Sequence, residues 1–100
     1  MDTKNAARLL EALANKTRLE IFQHLCGAGD NGITVGKINE KITIPASTLS
    51  HHIGKLVVGG LVEQQRHGRQ LICTVNQHQI DDLVMYLANE CCGEHSSIWE

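Results

Sequence analysis

Two groups of residues in this chain of 100 have the types and spacing to do chemistry. The first is Ser47, Thr48, Ser50, His51, His52 and Lys55, joined further along by Arg66 and Arg69. Hydroxyls and imidazoles can donate to or accept from base edges, and ammonium and guanidinium groups seek phosphate. The second group is the thiols Cys26, Cys73, Cys91 and Cys92. Thiolates are soft ligands for thiophilic ions and are open to oxidation. In a chain with an adequate core and no export signal, four cysteines point to reduced thiols used for sensing or metal binding, with disulfides the lesser expectation.

The polar row needs an element to hold it. Leu49, Ile53, Leu56 and Val57 fall at i, i+4, i+7 and i+8, which is one face of a helix running from about Ala46 to Val58. Pro45 suits the start of that helix, and Gly59-Gly60 stops it. Thr48, Ser50, His51, His52 and Lys55 then occupy the outer face. Upstream, Thr34 can cap a short helix through Lys41, with Val35 and Ile38 inward. Downstream, Leu61 to Arg66 and Gln70 to Val75 read as strands about the tight turn His67-Gly68-Arg69.

The remaining elements frame this unit. A first helix, Asn5 to Ala14, aligns Ala6, Leu9, Leu10 and Leu13. Asn15 is an N-cap for a second, Lys16 to Cys26, which places Ile21, Phe22 and Leu25 inward. Gly27 to Gly32 is a loop, and Ile33 begins a short extended piece. A last helix, Gln77 to Cys92, carries the stripe Ile80, Leu83, Val84 and Leu87, and residues 93–100 read as a loose tail. The expected fold is mainly α with a small β-hairpin, a winged helix-turn-helix in the order α-α-α-α-β-β-α, forming one domain over residues 1–100.

Charge and composition narrow the partners. The formal charge is −2, so any nucleic-acid surface must be local. Residues 45–75 set Lys55, Arg66 and Arg69 against Glu63 alone, whereas residues 76–100 hold five acids and no Lys or Arg. Segments of this size differ by a few charges through chance, and polar helix faces are usually only solvated. The weight therefore rests on helix-turn-helix spacing, glycine stop, hairpin and arginine-bearing wing occurring in order. No apolar run approaches the about 18 residues that span a bilayer, and the N-terminus lacks a signal-peptide pattern, so the expected location is cytoplasmic. An enzyme lacks parts: Gly27, Gly29 and Gly32 lie between helices instead of following a strand, and no cofactor is required. A winged-helix module that binds only proteins is the rival of a different class.

The segments Leu13-Ala14-Asn15-Lys16-Thr17-Arg18-Leu19-Glu20-Ile21 and Ser47-Thr48-Leu49-Ser50-His51-His52-Ile53-Gly54-Lys55-Leu56 resemble the ArsR family of repressors. Gly60-Leu61-Val62 and the wing Arg66-His67-Gly68-Arg69 extend the resemblance over about residues 6–92. It implies a homodimer on an imperfect inverted repeat of double-stranded DNA, released when an inducer binds or a thiol is modified. It also implies a dimer interface built from the first and last helices, hence from Leu9, Leu10, Leu13, Ile80, Leu83, Val84 and Leu87. Periodicity alone equally allows those stripes to bury within one protomer.

The sensor is read from the thiols. Relatives that bind metal on the third helix carry cysteines there, and none occurs here between residues 27 and 72. Asp81, His78, Glu94 and His95 do not match the spacing of the family's zinc site on the last helix. Tyr86-Leu87-Ala88-Asn89-Glu90-Cys91-Cys92-Gly93 resembles arsenite-responsive members with a vicinal pair, which implies Cys91 and Cys92 as ligands and As(III) as inducer. As(III) favours three sulfurs, and the tail supplies no third, so the site would hold the ion with two thiolates or recruit Cys26 or Cys73. The alternative is a thiol-redox or persulfide switch between Cys26 and Cys91 or Cys92. Cys26 and Cys73 also fit apolar positions, where a thiol is a small core filler.

Overall fold

The computed structural model describes the backbone of residues 1–92 and the side chains of residues 1–90. The elements run α1 (Thr3–Leu13), α2 (Lys16–Ala28), a 3-10 turn (Gly29–Asn31), β1 (Ile33–Thr34), α3 (Val35–Lys41), α4 (Ala46–Val58), β2 (Val62–His67), β3 (Gln70–Val75) and α5 (Gln77–Cys92). The winged helix-turn-helix order is as expected, with two additions: Gly29–Asn31, read as loop, forms the 3-10 turn, and a third strand joins the hairpin. Ile33 and Thr34 form a third strand, pairing antiparallel with Cys73 and Ile72, so β3 is central in the order β1-β3-β2.

Local chemistry sets the boundaries. The Asp2 carboxylate accepts from the Asn5 backbone N–H at 2.8 Å, which starts α1 at Thr3, two residues before the expected position. Asn15 caps α2 by accepting from Arg18 N–H at 3.0 Å, and Thr34 caps α3 by accepting from Lys37 N–H at 3.2 Å. α4 begins directly after Pro45. In the wing, His67 pairs with Gln70 across Gly68-Arg69. Gly68 has φ 64° and Arg69 stays at negative φ, the pattern of a type II′ turn with glycine first.

One core joins the elements. Leu9 of α1, Ile21 and Leu25 of α2, Ile38 of α3, and Leu49, Ile53 and Leu56 of α4 meet Leu61, Val62 and Cys73 from the sheet region and Leu83 of α5. No polar side chain is buried among them. The three α4 residues are at most 1% exposed, so the helix is fixed by its apolar face. Fully burying a side chain of this size stabilises by about 1.5–3 kcal/mol, and α4 supplies three. Its C-terminal end also sits tight on α1: a Cβ added at Gly59 would come within 2.7 Å of the Ala12 methyl. Only a residue without a side chain lets the two helices approach this closely.

Candidate nucleic-acid interface

With Leu49, Ile53 and Leu56 locked inward, the 3.6-residue period turns Ser47, Thr48, Ser50, His51 and Lys55 outward, and all five are exposed. His52 is the exception and is half-buried. Arg66 lies near the end of β2 opposite Leu71, and Arg69 lies in the turn; both are exposed at the wing tip. The fold thus presents one polar helix face and a separate wing bearing two guanidinium groups. α4 is slim enough for a major groove, which is about 12 Å wide.

His52 is held by a residue that the sequence reading missed. Arg18 Nε donates to the Ala12 carbonyl at 2.6 Å, and Nη2 donates to the Glu11 carbonyl at 3.4 Å. Those carbonyls belong to the last turn of α1, where the helix runs out of backbone donors; the Glu11 carbonyl also accepts from the Ala14 N–H at 3.2 Å. Nη1 stands 3.4 Å from His52 Nδ1. Arginine only donates, so Nδ1 accepts and the imidazole proton lies on Nε2. The His52 pKa is lowered, first by burial and then by the charges of Arg18, His51 and Lys55. His52 is therefore a neutral imidazole at pH 7. The signal for Arg18 lay in its position: it is a cation in the first turn of α2, where the helix dipole disfavours positive charge. A cation there needs a partner elsewhere, and α1 and α4 provide it.

Beside this network α1 and α4 enclose a groove of about 490 Å³, lined by Arg8, Glu11, Arg18, His51, Lys55 and Val58 among others.

The thiols separate. Cys73 is fully buried on β3 and accepts from the Gln64 side-chain amide at 3.6 Å. Burial pushes its pKa up, which suits the core-filler reading. Cys26 differs from that reading: it is exposed. The helix face that buries Ile21 and Leu25 leaves residue 26 one step off, on the edge of a cleft shared with Asp30, Thr74 and Gln77. Partial desolvation raises the Cys26 pKa, keeping it a thiol. Gln77 opens α5, and Cys91 comes fourteen residues later on the same helix. At a rise of about 1.5 Å per residue the two ends of α5 are about 21 Å apart, and Cys26 stands beside the first of them. The side chains of Cys91 and Cys92, and the tail at 93–100, lie outside the described residues. Among the described residues no cluster of three potential ligands gathers to hold a metal.

The apolar stripes on α1 and α5 divide. Leu9 and Leu83 belong to the protomer's own core, at 0% and 5% exposure, which corrects their assignment to an interface surface. Leu13 and Ile80 pack partly against that core. Leu10, Val84 and Leu87 remain exposed, as does Met85. The Thr3 hydroxyl and the Tyr86 phenol, 2.9 Å apart, tie the start of α1 to α5.

Known proteins share this arrangement. Residues 13–65, which span the second, third and fourth helices and most of β2, match the family model described as a helix-turn-helix domain. The transcriptional activator HlyU of Vibrio cholerae is 30% identical over 92 residues, covering 89% of this chain and 82% of that protein. The chain belongs to the ArsR-type helix-turn-helix regulators. Two solved members of this type superpose well. The transcriptional repressor BigR of Xylella fastidiosa is 30% identical with a TM-score of 0.64, covering 86% of this chain and 85% of its own. The homodimeric winged helix-turn-helix DNA-binding domain of a possible ArsR-family regulator from Mycobacterium bovis is 27% identical with a TM-score of 0.69, covering 88% and 82%. No helix among the described residues is long and apolar enough to cross a membrane.

Proposed function

We propose that this chain is a homodimeric, cytoplasmic transcriptional repressor that reads an imperfect inverted repeat in double-stranded DNA. The observation that carries the reading is the division of α4: three fully anchored apolar residues on one face, and Ser47, Thr48, Ser50, His51 and Lys55 free on the other. α4 enters the major groove, and Arg66 and Arg69 of the wing meet phosphate or the adjoining minor groove. A second copy related by a two-fold axis covers Leu10, Val84 and Leu87 and sets the two reading helices about 34 Å apart, one turn of DNA. The homodimeric relative supports this assembly.

In this reading the sensor is the vicinal pair Cys91 and Cys92 at the end of α5, and its ligand is a thiophilic metalloid such as As(III). Soft thiolates favour such ions, and neighbours on one helix share an ion at little entropic cost. Ion binding shifts or frays α5, which alters how the protomers sit and moves the reading helices out of register. A coupling of about 1–3 kcal/mol loosens DNA about 5–150-fold.

The test is fluorescence anisotropy of reduced protein on a labelled duplex taken from upstream of its own gene, followed by titration with arsenite and, separately, with a persulfide donor. Tight, salt-sensitive binding released by near-stoichiometric arsenite, and no release in Cys91→Ser/Cys92→Ser, is the expected result. Release by the persulfide donor alone replaces the metalloid with a thiol-redox signal. Absence of binding in every state makes the winged helix a protein-interaction module.

A further inference from the structure

A chain of net charge −2 must concentrate its cations where it meets a polyanion, and the structure concentrates them in a place that the helix-turn-helix itself does not supply. The groove between α1 and α4 collects Arg8, Arg18 and Lys55 against one carboxylate, Glu11. No ion pair joins Glu11 to any of the three among the described residues. Arg18 spends three N–H groups on Ala12 O, Glu11 O and His52 Nδ1, and a guanidinium has five. Ser50 and His51, from the outward face of α4, line the same groove.

We infer that this groove seats a phosphate of the DNA backbone beside the bases that α4 reads, with Arg8 as its exposed cation and Arg18 as its fixed floor. The inference rests on the DNA-binding reading above. A helix with its side chains is about 10–12 Å across and the major groove about 12 Å wide, so whatever flanks a seated α4 meets the sugar-phosphate rim. α1 is one of the elements that flank α4 here, held against its C-terminal end by the Gly59–Ala12 approach. Ser50, His51 and Lys55 face both the bases and the groove, so a phosphate seated there is continuous with the reading face. Arg18 ties that seat to His52 and to the end of α1, so the phosphate contact and the orientation of the reading helix share one guanidinium.

Backbone contacts are independent of sequence, so the effect is read on a random-sequence duplex as the slope of log affinity against log salt. Arg8 is exposed and makes no side-chain hydrogen bond among the described residues, so replacing it leaves the fold intact, checked by the thermal midpoint. Arg8→Gln should shrink the slope by about 0.9, the loss of one phosphate contact. Arg8→Lys should keep the slope. Glu11→Gln, which removes the groove's carboxylate but not its carbonyl, should tighten binding. An unchanged slope in Arg8→Gln overturns the inference. So does saturable binding of inorganic pyrophosphate that Arg8→Gln abolishes while the DNA slope stays intact, which would make the groove a small-anion site. Failure of the DNA-binding reading looks different, because the wild-type chain would then show no salt-dependent binding at all.

Discussion

Arg18 Nη1 lies 3.4 Å from His52 Nδ1, while the same guanidinium donates through Nε to the Ala12 carbonyl at 2.6 Å. One side chain thereby fastens the end of α1 to a residue of the reading helix. It fixes the tautomer of His52 and places a positive charge beside it. The groups that face His52 are Arg18 from α2 and His51 and Lys55 from α4, and each of them opposes protonation. Burial, the largest cause, acts in the same direction.

The first prediction is a pH dependence. The His52 pKa is lowered from 6.5 in the folded chain, so the unfolded chain binds a proton more readily. Its contribution to stability is therefore complete above about pH 6.5, the ordinary histidine value, and is lost as pH falls through the depressed folded value. The imidazole resonances of His52 should titrate with a midpoint below 6.5, and Arg18→Met should move that midpoint upward. A midpoint at or above 6.5 in the wild type would remove Arg18 as a charge acting on His52.

Arg18→Met should also destabilise the fold. The substitution keeps much of the side chain's bulk but strips the part-buried bond to the Ala12 carbonyl and the exposed one to the Glu11 carbonyl. Hydrogen bonds from a charged donor contribute about 1.5–3 kcal/mol. In a domain of this size each kcal/mol lowers the thermal midpoint by about 4–8 °C, which calorimetry resolves easily. Arg8→Met, which breaks no such bond, should leave the midpoint nearly unchanged; equal losses in the two variants would mean that general charge, not the carbonyl bonds, sets the effect.

Two glycines with nearly the same backbone separate strain from crowding. Gly29 and Gly32 have φ 70° and 75° with ψ −158° and −172°, a region that other residues rarely enter. A Cβ at Gly29 meets open space, whereas one at Gly32 comes within 2.6 Å of the Cys73 carbonyl oxygen and within 2.8 Å of the Ile72 and Thr74 methyls. Gly29→Ala should therefore show the conformational cost alone, about 1–3 kcal/mol. Gly32→Ala should cost more, because β1 must also move off β3. Urea unfolding of the two variants decides it, and equal midpoints would show that the β1–β3 junction yields freely.

The same junction marks what sequence could and could not tell. The α4 face, the caps at Asn15 and Thr34 and the glycine turn of the wing were legible because each depends on residues a few positions apart. The pairing of Ile33 with Cys73 spans forty residues, and two residues are too few to show strand alternation. The apolar stripes of α1 and α5 were legible as faces, but periodicity does not say what covers a face. Leu9 and Leu83 turn into the protomer, while Leu10 and Val84 do not, since neighbours on a helix point a hundred degrees apart. Arg18 and Arg8 went unread because their roles exist only once α1 lies against α4.

The wing supplies the last prediction. β2 and β3 carry Arg66 and Arg69 to the tip of the hairpin, exposed and without side-chain hydrogen bonds among the described residues. Their stability contribution should be small, so Arg66→Ala/Arg69→Ala should unfold within about 0.5 kcal/mol of wild type. Their effect on DNA should be large, since each phosphate contact adds about 0.9 to the salt slope and two are removed. Anisotropy titrations at several salt concentrations should then give a slope lower by about 1.8. If the wing instead enters the minor groove to read its width, the same variant should lose its preference for narrow A-tract flanks, which a pair of duplexes differing only in those flanks reports. A slope and a flank preference both equal to wild type would take the wing away from the DNA and leave α4 and its neighbouring groove as the whole contact.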